Sequence, residues 1–284
     1  MKSCLISETT SGEIASLLLA GAETSAGATR AGAGASPPDG RDQHPVLTIS
    51  RLVPSGSPAP PASLSISAGE AVVLLAIDGN GADLLAACVA GLRPFTGDVR
   101  IGGGPVPSGG FLAFRALGGR YVPADRRAEG LVASLSLAEN LALPSPPGRL
   151  FLRRDEMRDR AAARIRSFGV RAASPDVAAA TLSGGNQQKL VLARELEGLP
   201  ASPRVLVAIH PTRGLDLSAA ADVLGRIEEA RHAGAAVLAV SADPDEARLL
   251  GGTLRVVYRG ALSEPLPPDA PLSLLGRRMA GLAA

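Results

Sequence analysis

The chain has 284 residues, 46% of them hydrophobic but only 2% aromatic, so a sizeable core must be built from Leu, Val, Ile and Ala. A formal net charge of +2, dispersed arginines and so few rings for base stacking exclude nucleic acid as a partner. Cys4 and Cys88 are the only cysteines, which gives no disulfide framework and fits a reducing cytoplasm.

In chain order, residues 5–21 read as a short helix, with Thr10 or Ser11 as cap and Gly21 as stop. Residues 22–45 are rich in Ala, Gly, Ser, Thr and Pro, have no apolar period, and read as a flexible linker. From Val46 the pattern changes. Val46–Leu52 and Ser63–Ser67 alternate apolar and polar, as half-buried strands do. Ala71–Ile77 is continuously apolar, which suits a central parallel strand. Asp78-Gly79-Asn80-Gly81 is a turn. In Ala82–Leu92 the residues Leu84, Leu85, Cys88, Val89 and Leu92 recur at helical spacing, before Pro94. Asp98–Ile101, followed by three glycines, reads as a strand at a sheet edge.

Ser136-Leu-Ala-Glu139 is a capping box opening a short helix. Residues 150–168 form a clearer helix, with Met157, Ala161, Ile165 and Phe168 on one face and a charged, solvated remainder. Val205–Ile209 reads as a buried strand, Ser218–Ala233 as a helix and Ala236–Val240 as a strand. Strands alternating with helices imply an α/β fold with a mainly parallel sheet. The longest apolar runs, such as Ala71–Ile77 and Leu84–Leu92, fall well short of the ~20 residues a membrane span needs. Glu8 and Glu13 interrupt any signal-peptide core.

Residues 182–189, Leu-Ser-Gly-Gly-Asn-Gln-Gln-Lys, carry the strongest chemical signal. Ser183 can cap a helix beginning at about Asn186, and Gly184 and Gly185 let a ligand approach the backbone. Free N–H groups and a positive dipole end then suit a phosphate oxygen. A bare Ser-Gly-Gly would be read as a capped turn; the eight residues together are far more specific.

Strand 71–77, turn 78–81 and helix 82–92 have the context of a phosphate-binding loop. On the frame Gly-x-x-x-x-Gly-Lys-Ser/Thr, the residues Asp78, Gly79, Asn80 and Gly81 occupy the turn. The first glycine, however, is Ala76, the lysine is Ala82 and the metal-binding hydroxyl is Asp83. A hydrogen bond from a charged group is worth ~1.5–3 kcal/mol, so loss of the lysine weakens phosphate binding roughly ten- to hundredfold. Asp83 favours its own helix N-terminus but repels a phosphate placed there. A tight βα turn that binds nothing is the competing reading. Lys2 and Lys189 are the only lysines, and none lies between Val46 and Glu70, where an aromatic for an adenine is also missing.

The chain resembles an ATP-binding cassette of ABC transporters over about residues 46–262, and within that family the second cassette of tandem-cassette importers for sugars or nucleosides. The resemblance is carried by 77–81, by Tyr121-Val122-Pro123-Ala124-Asp125-Arg126-Arg127-Ala128-Glu129-Gly130-Leu131, and by 181–194 running on to Pro211-Thr212-Arg213-Gly214-Leu215-Asp216. Residues 8–21 look like the tail of a preceding cassette. The resemblance implies a P-loop NTPase-like fold with a mainly parallel core sheet, a small antiparallel β subdomain and a helical subdomain at about 134–200. Residues 1–21 would be the preceding tail, 22–45 the linker and 263–284 a C-terminal tail.

Family roles carry over unevenly. Ser183, Gly184, Gly185, Asn186 and Gln187 match the signature, which would contact ATP held by a partner cassette, and Asp216 matches the D-loop aspartate. The metal-binding acid falls on Ile209, the catalytic glutamate on His210, the γ-phosphate glutamine on Ala124 and the switch histidine on Ala242. No carboxylate or second histidine is expected beside His210, so His210 alone is not read as a metal site. The resemblance therefore implies no catalytic residue in cis, with ATP and Mg2+ mainly on the partner. Its partners would be another cassette, permease subunits and a substrate-binding protein, at the cytoplasmic face of the cell membrane. A nucleotide-free scaffold, or a remnant of a split tandem protein, is the alternative.

Overall fold

The computed structural model describes residues 45–143, 154–196 and 203–282. The helix expected at 5–21 and the linker up to Gln43 and His44 lie outside these residues, as does the start, at 150–153, of the helix expected at 150–168. The chain runs β1 (Leu47–Pro54), β2 (Ala62–Ile66), β3 (Ala71–Leu75), α1 (Ala82–Val89), β4 (Phe95–Ile101), β5 (Gly104–Pro105), α2 (Phe111–Ala116), β6 (Gly119–Val122), α3 (Leu137–Ala142), α4 (Arg154–Ser167) and α5 (Gly184–Leu196). It continues through β7 (Val205–Ile209), α6 (Leu217–His232), β8 (Ala236–Ser241), α7 (Pro244–Leu250), β9 (Thr253–Tyr258), β10 (Ala261–Leu262) and α8 (Leu272–Met279).

The continuous apolar runs become the centre of a six-stranded sheet ordered β10-β9-β3-β8-β7-β6, parallel except for β10. All five residues of β3 and of β7 are buried, because both faces of the sheet are covered. Side chains alternate between two cores, as the two-residue strand period requires. Val73, Leu75, Leu206 and Ala208 face one, with α3 to α8 contributing. Val72, Leu74, Val205 and Val207 face the other, with α1 and the antiparallel sheet β2-β1-β4-β5. Mainly parallel core sheet, antiparallel small sheet and helical segment are thus all present.

Several boundaries differ from expectation. The strand predicted to reach Ile77 ends at Leu75, and Ile77 is 51% exposed. Helix α1 stops at Val89 because the chain turns at Gly91, φ 71°, where a Cβ would meet the Gly110 backbone. The strand at 98–101 begins at Phe95 and is not the edge: it lies between β1 and the two-residue β5. Leu275 and Met279 of α8 are buried in the same core as the sheet.

The capping box forms as its sequence dictates: Ser136 accepts from the Glu139 N–H, and the Glu139 carboxylate accepts from the Ser136 N–H. The Ser136 hydroxyl, which donates to Glu139 Oε2 at 2.7 Å, and then the Ser136 N–H hold the Glu139 carboxyl below its ordinary range. The face of α4 also forms as read, with Ala161 and Ile165 buried and Met157 and Phe168 packed against them. Unforeseen is Asn140, fully buried in α3. Its Oδ1 accepts from the Val132 N–H at 2.9 Å, and its Nδ2 donates to the carbonyls of Val132 and Ser136, both at 3.0 Å. Asn140→Ala should destabilise the chain by about 1–3 kcal/mol, since it leaves buried backbone groups without partners. Urea unfolding would register this as a lower midpoint at unchanged slope.

Candidate functional site at the C-terminal edge of the sheet

The phosphate-loop frame begins where β3 ends. Ala76 is buried and its N–H donates to the Ser241 carbonyl at 3.1 Å. Gly79 (φ 86°) and Gly81 (φ 94°) take the left-handed backbone that favours glycine, and Gly81 precedes α1 without any side-chain cap. Asn80 is engaged elsewhere. Its backbone carbonyl accepts from the Gly260 N–H at 2.8 Å and its Oδ1 from the Arg259 N–H at 3.0 Å, which ties the loop to the β9–β10 turn.

Around this loop the side chains pair with one another. His210 follows β7 directly, is 6% exposed, and has a positive φ of 45°. Its Nε2 lies 3.1 Å from Asp83 Oδ1 and 3.8 Å from Asp78 Oδ1. The other Asp78 oxygen accepts from Arg213 Nη2 at 2.6 Å. The expectation that no carboxylate adjoins His210 is therefore corrected: Asp83 lies 127 residues earlier, yet beside it. The cause is topological. β3 and β7 run parallel to β8, so the segments after them emerge at one edge of the sheet. Among the described residues no cluster of three or more His, Cys, Asp or Glu side chains is disposed to hold a metal ion.

Ile209 is a core residue, 2% exposed, whereas Ala242 is exposed and Ala124 half-buried beside the β1–β2–β4 core. Asp216 caps α6 by accepting from the Ala219 N–H at 2.9 Å. Sequence reasoning overlooked Glu246. Its two oxygens accept from Thr212 Oγ1 at 2.6 Å and Ser241 Oγ at 2.5 Å, joining the segments after β7 and β8.

The Ser-Gly-Gly segment opens α5 two residues earlier than expected, at Gly184. Ser183 is exposed, and its Oγ accepts from the Asn186 side-chain amide at 2.9 Å instead of from a backbone N–H. Asn186 can do this because its Oδ1 is held by the Arg171 N–H at 2.8 Å. Gly184 and Gly185 are half-buried. Gln187 is 4% exposed and points inward, donating to the Ala179 carbonyl at 3.2 Å and accepting from Arg127 Nε at 3.4 Å. Lys189 pairs with Asp222 of α6 at 2.5 Å.

This layering recurs in known cassettes. MJ1267, an ATP-binding cassette of an ABC transporter, superposes with a TM-score of 0.68 at 16% identity, covering 84% of this chain and 98% of that one. CbiO1 of Clostridium perfringens, part of the ABC transporter complex CbiONQ, gives 0.63 at 19% identity, covering 83% and 92%. The fold is that of an ABC cassette. Curated sequence relatives are more similar than these structures. The nucleoside import ATP-binding protein NupA of Lactococcus lactis is 33% identical over 213 residues, 73% of this chain and 42% of its own length. The guanosine import ATP-binding protein NupO of Bacillus subtilis is 34% identical over 226 residues, 77% and 44%. The ribose import ATP-binding protein RbsA of Geobacillus kaustophilus is 32% identical over 211 residues, 73% and 42%. Over about three quarters of its length the chain is thus similar to ATP-binding proteins named for nucleoside and ribose import, and it spans less than half the length of these curated relatives. No protein-family model matches it.

Cys88, on the inner face of α1, reports on the packing of the helix that follows the loop. It is fully buried, and burial pushes its thiol up to about 11. Iodoacetamide should leave Cys88 unmodified in the native chain at pH 9, where an ordinary thiol is mostly ionised, and modify it in urea. Because the folded value is raised, the stability this thiol contributes should be full below pH 9 and fall as pH rises toward about 11.

Proposed function

We propose that this cassette is the non-hydrolysing half of a composite transport ATPase in an importer for a sugar or nucleoside. It gives its signature, Ser183 with the Gly184 and Gly185 N–H groups, to ATP held by a partner cassette. The reading rests on the contrast between the two phosphate-facing features. Loop 76–83 holds two carboxylates, Asp78 and Asp83, and their partners are Arg213 and His210 of the same chain. An incoming triphosphate would meet like charge and would have to displace those partners. No lysine stands at position 82, no hydroxyl at 83 and no acid at 209. The residues present do not fit Mg-ATP, and no phosphoryl-transfer step runs through this loop. At the start of α5, by contrast, Ser183 is exposed, and the first N–H groups of a helix have no partner within it.

Phosphoryl transfer depends on positioning and on charge neutralisation by metal. In this reading the partner cassette supplies lysine, glutamate, histidine and Mg2+, and this chain supplies geometry. The permease would dock near 121–143, holding the cassette peripherally at the cytoplasmic face of the membrane, with a substrate-binding protein outside. Among the described residues no helix is long and apolar enough to cross a membrane.

Calorimetric titration of the full chain with Mg-ATP should show no saturable binding at about 1 mM, given the roughly hundredfold loss attached to the missing lysine. In the assembled importer, Ser183→Arg should abolish ATP hydrolysis. Normal transport by Ser183→Arg would refute the signature role and leave a nucleotide-free scaffold as the better reading.

A further inference from the structure

Arg126 begins the π-helical turn Arg126–Gly130 that follows β6, and its side chain reaches two distant segments. Nη1 donates to the Arg213 carbonyl at 3.1 Å. Nη2 lies against Gly184, in the space that a Cβ at that position would occupy. Nε is buried without a hydrogen-bond partner. The guanidinium thus turns its Nη2 end to the first turn of α5 and bridges it to the segment after β7. A cation at a helix N-terminus opposes the helix dipole, so its charge does not favour α5 as such.

The contacts continue on either side. Arg213 passes the connection to Asp78 through its own guanidinium at 2.6 Å. On the far side of the turn, a Cβ on Gly185 would stand 2.8 Å from the Ala219 methyl, in the first turn of the helix that Asp216 caps. Signature, D-loop and phosphate loop are thereby joined through Gly184, Arg126, Arg213 and Asp78.

We infer that Arg126 is a positioning residue, which fixes the signature turn at Gly184 against the 213–216 segment so that both meet the partner cassette as one surface. This rests on the signature-donor reading above. Arg suits the task because one end of its rigid fork can abut Gly184 while the other donates to the Arg213 carbonyl, whereas Lys offers a single point charge. Gly184 suits it because a side chain there would push the guanidinium away.

The test uses the importer complex purified through a tag on the full chain, and the full chain alone. In the complex, Arg126→Ala should lower kcat for ATP hydrolysis roughly ten- to hundredfold, the cost of misplacing a group that only orients others. KM for ATP should stay within about twofold, since loss confined to the transition state leaves ground-state binding unchanged. Arg126→Lys should recover part of kcat. In the chain alone, amide exchange at residues 184–188 should quicken in Arg126→Ala, while the urea midpoint of the whole chain holds. Wild-type kcat with unchanged exchange overturns the inference, as does a kcat loss that only tracks the unfolded fraction. A rise in KM at constant kcat also overturns it, making Arg126 a nucleotide-binding group. Ser183→Arg separates the two levels: if that complex stays active, the signature reading itself fails, whereas an inactive Ser183→Arg beside a fully active Arg126→Ala removes only the role of Arg126.

Discussion

Parallel pairing of β3, β8 and β7 forces the segments that follow these strands to leave the sheet at one edge. Every functional feature of the chain depends on that constraint. Loop 76–83, His210, Arg213 and Glu246 are scattered through the sequence and meet only because the strands before them point the same way. The strands are held by burial on both faces, with Leu74, Leu75, Leu206 and Leu238 fully inaccessible to solvent. At roughly 1.5–3 kcal/mol for each such side chain, that burial far outweighs the polar contacts at the edge. The edge can therefore change its chemistry without changing the fold.

That freedom is visible in the charges. In a phosphate loop the backbone N–H groups and a lysine hold an anion. Here the same frame carries Asp78 and Asp83, and Arg213 and His210 from the other βα segment face them. The Asp78–Arg213 pair is more than half exposed at both ends, so solvent screening leaves it worth little as a source of stability. In the proposed reading the pairing matters for occupancy, because side chains that line the loop face one another. The start of α5 is lined differently. Its neighbours are the side chain of Arg126, whose guanidinium a Cβ at Gly184 would displace, and the helix of Ala219, whose methyl a Cβ at Gly185 would meet.

The sequence made the sheet legible because β3, β7 and β8 are continuous apolar runs of Val, Leu, Ile and Ala, and the eight residues from Leu182 announced the helix and its type. Strand β6 escaped notice because it has four residues and includes Arg120, buried with its guanidinium turned back to the Gly119 carbonyl. Helix α5 began early because Asn186, and no backbone N–H, satisfies Ser183. The His210–Asp83 contact was invisible because nothing in a linear spacing of 127 residues signals adjacency. Arg126 carried no periodic signal either, since its role is written in a contact between a guanidinium and a glycine backbone. Asn140 and Glu246 are alike in this respect: single polar side chains that serve backbone or hydroxyl groups of other segments.

The central claim is that ATP in the working complex sits on the partner cassette and not in loop 76–83 of this chain. Photolabelling the assembled importer with 8-azido-ATP, followed by identification of the labelled peptides, tests it most directly. The account predicts label on the partner's nucleotide-binding strands and none on residues 46–83 of this chain. Label recovered from residues 46–83 at comparable yield would contradict it.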